Sequence, residues 1–402
     1  MAELIQIRDT RQQPEGTALF DVGLRPFFLG AGLFATLSLL WWIAVYGGVL
    51  SSASGWPPHW QHAHEMVFGF GAAAVAGFLL TASANWTSTA PLSGAPLSAL
   101  FVTWVLGRLA FVVPGLPVML VAVVDSAFLP ALLLALWPAL RAGKRKNLVF
   151  AFWLLELSVA NVVCHLEVVG HVAGVMGVAL RAGVYGLVMM VAILSGRVVP
   201  GFTQNALRRA GRPAETRTHP WIELGAKAAT LCAFAADVFG LPAPVVAALA
   251  LLAGLLLAAR MIGWRTWQIL DEPIVWILHV AHGLLVLAMF CMALEHVTDL
   301  FAGSTALHLF TAGVVGTMVL GIMSRASLGH TGRPLRVSRV TVLSYLLVIG
   351  GALLRAVGPL AAPEAYQGLA LAGGASWALG YGIFTAVYAP ILLGPRADAE
   401  AL

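Results

Sequence analysis

Charge is scarce in this sequence. Asp, Glu, Lys and Arg make up only 10% of the 402 residues, where soluble domains carry about a quarter. Hydrophobic residues reach 60% and mean hydropathy is +0.88, which excludes a water-soluble globule. Cysteine is nearly missing too. Cys164, Cys232 and Cys291 lie singly in three separate apolar stretches without CxxC spacing, so neither a thiolate zinc site nor a redox dithiol is expected. The first 25 residues are polar and lack an apolar core with a small-residue cleavage site, so no cleaved signal peptide is expected and the first helix would carry targeting. The net charge of +5 and pI near 9.4 do not imply nucleic acid. The cations fall in short loops between apolar stretches, where topology and anionic lipid account for them.

What the chain does have is a succession of apolar stretches of roughly 20 residues, the length that crosses about 30 Å of hydrocarbon as a helix. They predict an all-α polytopic membrane bundle of about twelve transmembrane helices. The predicted spans are 26–50, 60–83, 95–113, 117–140, 147–170, 176–199, 221–239, 242–262, 273–296, 304–324, 338–357 and 366–393. This gives an N-terminal segment 1–25, a single transmembrane bundle 26–393 and a tail 394–402. Arg8, Arg11, Arg25, the clusters at 141–146, 208–217 and 333–339, Arg265 and Arg396 all precede the first helix or follow even-numbered ones. The opposite segments 51–58, 171–175, 240–241, 297–303 and 358–365 hold no Lys or Arg. Because Lys and Arg are retained on the cytoplasmic side, both termini are expected to be cytoplasmic.

Histidine carries the chemistry. In WPPHWQHAHEMVFGFG, residues 56–71, His62 and His64 enter the second helix from the outer side with His59 just before them. His165 and His171 end the fifth helix, His296 ends the ninth and His308 opens the tenth, all at that same depth. His279 and His282 lie about 9 and 13 Å in from the other side at the usual helical rise, and His219 and His330 fall in cytoplasmic loops. Ionisable groups inside a membrane are costly and face the bundle interior or a water-filled cavity, so function is their default reading. Neutral imidazole suits copper and iron, and is a common axial haem ligand. His62 and His64 stand about 200° apart on a regular helix, so they serve two neighbouring centres, or one centre from an unwound turn. His279 and His282 share a face, either flanking one metal or stacking as a ligand and its support.

Several stretches resemble the NnrS family, haem- and copper-containing membrane proteins of the bacterial nitric-oxide response. They are RPFFLGAGLF at 25–34, HAHEMVFGFGAAAVAGFLLTASANWT at 62–87, SGRVVPGFTQNAL at 195–207, WILHVAH at 276–282 and ALHLFTAGVVGTMVLGIMSRASLGHTGRPL at 306–335. The resemblance implies a bundle of about twelve helices in the bacterial inner membrane, binding haem b and copper and serving denitrification and resistance to nitrosative stress. His62, His64 and Glu65 match the family's HAHE motif, His279 and His282 its ninth-helix pattern, and His308 its tenth-helix motif. His330 matches the GHTGR loop, which it and Arg333 are expected to shape. His165 joins the candidate ligands on depth and chemistry. Which histidines take iron and which copper stays open.

A buried haem needs cations for its propionates. Arg108, Arg181 and Arg355 lie in predicted helices towards the outer side and offer bidentate guanidinium pairing, the alternative being an ion pair with Asp125 or the interface itself. Glu65 and the deeper Glu156 are candidate proton carriers. Arg197 in ILSGRVV and Arg325 in GIMSRAS carry a weak trace of an internal repeat. Two function classes follow. One is a redox enzyme in which haem iron beside a histidine-bound copper couples two NO molecules to N2O. The other is a non-catalytic protein that senses, sequesters or transports NO, haem or copper. No soluble domain, CXXCH motif or quinone signature is present, so turnover requires an external quinol or redox protein as electron donor.

Overall fold

Proline and glycine set where the helices begin and end. Pro58, Pro220, Pro244 and Pro273 stand in the first turn of their helices, where a missing N–H costs nothing. Gly170 closes a helix at φ +89°, and the Ser338 side chain caps another by accepting from the Thr341 amide. The computed structural model describes residues 18–52, 55–87, 89–299 and 304–398. Arg8, Arg11, most of the segment 1–25, positions 300–303 and positions 399–402 lie outside the described residues.

Every predicted span holds a helix. These are α1 Leu24–Tyr46, α2 Pro58–Thr87, α3 Gly94–Ala110, α4 Val118–Ala142, α5 Leu148–Val169, α6 Met176–Arg209, α7 Pro220–Val238, α8 Ala243–Ile262, α9 Pro273–Glu295, α10 Thr305–His330, α11 Arg339–Ala356 and α12 Tyr366–Leu393. No strand occurs among the described residues. Ten of these helices are long and apolar enough to cross a membrane. The other two are α3, of 17 residues, and α7, which carries Glu223, Lys227 and Asp237 in 19 residues. The chain is therefore an all-α, multi-pass membrane protein.

The helix ends depart from the sequence reading in informative places. The apolar run predicts an end for α6 at 199, before Pro200, yet the helix runs through that proline to Arg209. Its 34 residues span about 51 Å. An interior proline is tolerated where neighbouring helices and hydroxyls satisfy the freed backbone groups. His330 is the last residue of α10 and not part of a loop. The turn after it is built by Arg333, whose amide bonds to the Leu328 carbonyl and whose guanidinium reaches the Thr331 carbonyl. Helix α4 breaks at Ala127, because Pro130 has no N–H to offer the Ser126 carbonyl four residues back. Beyond the helix ends, Arg212 bonds to the Gln268 carbonyl at 2.7 Å and to Asp271 at 2.9 and 2.5 Å. These bonds hold the Asp271 carboxyl below its ordinary pKa.

Burial separates an inner from an outer set. In α2, α6, α9 and α10 between 67% and 78% of the apolar window is buried, against 33–56% in the other six crossing helices. Three of these four, α2, α9 and α10, carry His62, His64, His279, His282 and His308. Outside them α12 packs on α1 and α11, α7 on α8, and α8 on α9. The α11–α12 contact is backbone to backbone. A Cβ on Gly351 would stand 2.6 Å from the Gly373 carbonyl oxygen and 2.9 Å from the Trp377 amide. Gly351→Ala is accordingly expected to lower stability by about 1–3 kcal/mol through overpacking. Gly350→Ala, whose Cβ would meet nothing within 4 Å, should leave thermal unfolding in detergent unchanged.

Candidate functional site

The first two turns of α2 determine how its histidines are divided. Pro57 and Pro58 start a regular α-helix that runs to His64, and from Glu65 to Gly71 the backbone widens into a π-helical turn. Such turns are rare and often mark functional positions. A second seven-residue π turn, Leu309–Val315, begins immediately after His308 in α10. Both are braced by indoles, with Trp104 Nε1 donating to the Gly69 carbonyl at 3.0 Å and Trp377 Nε1 to the Ala312 carbonyl at 3.1 Å.

On one side of α2 lies a fully buried polar cluster. His64 Nε2 is 2.7 Å from Asn161 Oδ1 and 3.4 Å from Asp125 Oδ2, and His64 Nδ1 is 3.1 Å from Glu65 Oε1. His165 Nε2 is 2.8 Å from Asp125 Oδ2. Arg108 bridges Glu65 and Asp125. Trp56 and Phe111 pack their rings on both imidazoles and close the cluster from above. One ligand atom each from His64, Asp125 and His165 lies within 4.8 Å of the other two, the only such group of three among the described residues. Four helices therefore supply one site: α2, α3, α4 and α5.

The charge of this cluster does not close. With both carboxyls ionised, one guanidinium faces two carboxylates, leaving one negative charge in a buried volume, which is expensive unless compensated. Hydrogen bonding is one donor short as well. Neutral His64 has a single N–H, yet both its nitrogens face oxygens, so either His64 carries a second proton or Asn161 turns its amide nitrogen inward. A second proton on His64, or a cation coordinated by two imidazoles and a carboxylate, would satisfy both deficits.

On the other side of α2, His62 stacks on Trp42 with ring centroids 4.6 Å apart and has His308 and Arg355 as its electrostatic neighbours. His62 Nδ1 is buried without a hydrogen-bond partner. His308 donates from Nδ1 to the Ser304 carbonyl at 2.8 Å, which leaves its Nε2 as a bare lone pair. Arg355 donates to the Tyr366 hydroxyl at 2.9 Å and lies over that ring. His62 and His64 thus serve two neighbouring clusters from a regular turn, the first of the two arrangements open to them.

The remaining candidates lie apart. His279 is held at both nitrogens, Nε2 on Thr203 Oγ1 at 2.8 Å and Nδ1 on Thr266 Oγ1 at 2.9 Å. Thr203 donates its own proton to the Val199 carbonyl, so it accepts from His279, which then accepts from Thr266. His282 faces the Leu257 carbonyl at 3.2 Å and leaves Nδ1 unpartnered beside Trp264. The two imidazoles share a helix face and both pack on Trp264, but they take different hydrogen-bond partners. Arg181 pairs with Asp237 at 3.1 Å, together with Tyr185 and His296. Glu156 is far along α5, its carboxyl fitted into the space left by Gly186 of α6 and Oε2 without a partner. Asn161 is the site residue that sequence reasoning did not name, and Asp125 entered only as the ion-pair alternative for the arginines, which Arg108 takes. Asp125 did carry a signal, a lone carboxylate in VMLVAVVDSAFLP.

A family model described as "NnrS protein" matches residues 18–396, nearly the whole chain. The chain belongs to the NnrS family. No curated protein compared with it matches. Within this NnrS protein, the HAHE motif is thus the point where the two polar clusters meet, and the ALHLFTAG motif carries the second π turn.

Proposed function

We propose that this NnrS protein binds nitric oxide at a haem b and copper pair in the bacterial inner membrane and reduces it to N2O. The observation that carries the reading is the division of His62 and His64, two residues apart in sequence, between two adjacent clusters of different chemistry. The cluster of His64, Asp125 and His165 fits copper, because it offers two imidazoles and a carboxylate and lacks one positive charge. The cluster of His62 and His308 fits haem, because each imidazole has a nitrogen free to ligate and Arg355 is near for a propionate. When bound, the two metals supply sites that hold and polarise diatomics.

The chain's own residues supply the rest. The Ser304 carbonyl fixes the His308 tautomer, as a support does for a ligating imidazole. Arg108 orients Asp125 and Glu65, and Trp56 and Phe111 exclude water. Glu65, whose Oε1 is held by Arg108 and His64, is the proton carrier beside the pair through its other oxygen, Oε2. Turnover consumes two NO, two protons and two electrons and yields N2O and water, with electrons from an external quinol or redox protein. The test is an optical spectrum of the purified, dithionite-reduced protein before and after anaerobic NO, with iron and copper quantified and N2O collected. Haem bands that shift with NO, copper in fixed ratio to the chain and N2O beyond one turnover are expected. NO binding without N2O would leave a sensor or scavenger, and absence of haem would overturn the assignment.

A further inference from the structure

At the end of the bundle where α6 and α8 finish and α7 begins, a cavity of about 470 Å³ opens among cationic side chains. Its size falls in the range of small-molecule sites, about 300–1,000 Å³. Arg217, Arg260 and Arg265 line it together with His219 and a single carboxylate, Glu223. That carboxylate is already engaged, 2.8 Å from Arg260 Nε and 3.8 Å from Lys227. Arg217 and Arg265 form no ion pair among the described residues. Arg260 is 3% exposed and donates from Nη2 to the Ala192 carbonyl, but its Nη1 is buried with no partner at all. Arg217 and Arg265 are the cations on the cavity wall that an anionic ligand would balance.

The walls are built to hold that shape. Gly196, in the SGR motif of α6, leaves the room that Arg260 Nη2 occupies. The Arg217 amide donates to the Gly263 carbonyl at 2.9 Å, and a Cβ on Gly263 would collide with the Arg217 carbonyl, so the two loops are clipped together. Arg265 sits at φ +55°, the only positive φ among the described non-glycine residues. His219 is the N-cap of α7, a 19-residue helix whose unpaired first amides add positive potential to the same region. Trp267 on the cavity wall is 64% exposed and Trp221, in the first turn of α7, 83%, as in the aromatic belts at membrane–water interfaces.

We propose that this cavity is a phosphate-binding site that takes the phosphodiester of an anionic phospholipid headgroup. Phosphate provides the acceptors that Arg217 and Arg265 lack, and the interfacial tryptophans set the cavity at headgroup depth. Free inorganic phosphate shares this chemistry but has no need of an interfacial mouth. The site is independent of the haem and copper assignment.

The test is native mass spectrometry of the full-length protein, delipidated in neutral detergent and titrated with phosphatidylglycerol or phosphatidylcholine. Phosphatidylglycerol should fill one saturable site at least about tenfold more tightly than phosphatidylcholine. In the double variant Arg217→Gln/Arg265→Asn, where Asn suits the left-handed backbone, its affinity should fall at least about tenfold. The charge-matched control Arg336→Gln/Arg339→Gln should bind as the parent does. Equal binding of both lipids by the parent protein overturns the proposal whether or not the variant folds. So does an unchanged affinity in the double variant, or an equal loss in the control. Displacement of phosphatidylglycerol by inorganic phosphate at equal concentration would assign the site to the free ion and overturn the lipid.

Discussion

Arg108→Met should destabilise the protein by about 3–5 kcal/mol, the largest loss expected from any single substitution in the bundle. The reason is arithmetic of charge in a buried volume. Arg108 is the single guanidinium between Glu65 and Asp125, all three nearly or fully buried. Methionine keeps much of the volume and removes the cation, leaving two carboxylates facing each other with only imidazoles beside them. The structure around Arg108 is shaped for it. A Cβ on Gly69 would lie 2.8 Å from Arg108 Nη1, and one on Gly107 would lie 3.0 Å from Asp125 Oδ1. Arg108→Lys should recover little, because an ammonium cannot bridge two carboxylates with the geometry of a fork. Urea or thermal unfolding in detergent measures the loss. A loss under about 1 kcal/mol would mean that both carboxyls are already protonated and that no carboxylate depends on Arg108.

Helix number and helix position were legible because a span needs only apolar length, a local property. The predicted 366–393 coincides with α12, and 273–296 with α9 to within a residue. Clustering of histidines at one end was legible for the same reason, since alternation of spans assigns every helix end to a side. Partner choice was not. His64 meets Asn161 across 97 positions, and His165 meets Asp125 across 40. Nothing local in VVDSA or SVANVV announces those meetings.

Rotational detail was lost in a second way. The 200° separation of His62 and His64 holds, because the helix is regular up to His64, but regularity ends there. The π turn that follows had a faint signature. His64 precedes Gly69 and Gly77 by the same intervals at which His308 precedes Gly313 and Gly321, and both π turns start one residue after the histidine. That correspondence is a better trace of repetition than the pair Arg197 and Arg325. The arginines show the limit of depth as a guide. Arg108, Arg181 and Arg355 share an end of the bundle, yet one bridges two carboxylates, one pairs with Asp237 and one stands by His62.

His64→Ala and His308→Ala should fail in opposite ways. The first removes one of three ligands from the cluster of His64, Asp125 and His165, and should cost copper affinity at least about 100-fold while leaving haem in place. The second removes the imidazole whose tautomer Ser304 fixes, and should cost haem while copper remains. Iron and copper per chain, measured on the purified variants, separate these outcomes. Loss of both metals from either variant would mean that the two clusters are one site. Asp125→Asn sharpens the test through charge. It removes the unbalanced negative charge but keeps the shape, so the metal-free protein should lose far less stability than Arg108→Met does, while copper affinity falls as it does for His64→Ala. A carboxylate retained solely to hold Arg108 and His165 in place would give the reverse, a less stable fold that still takes copper.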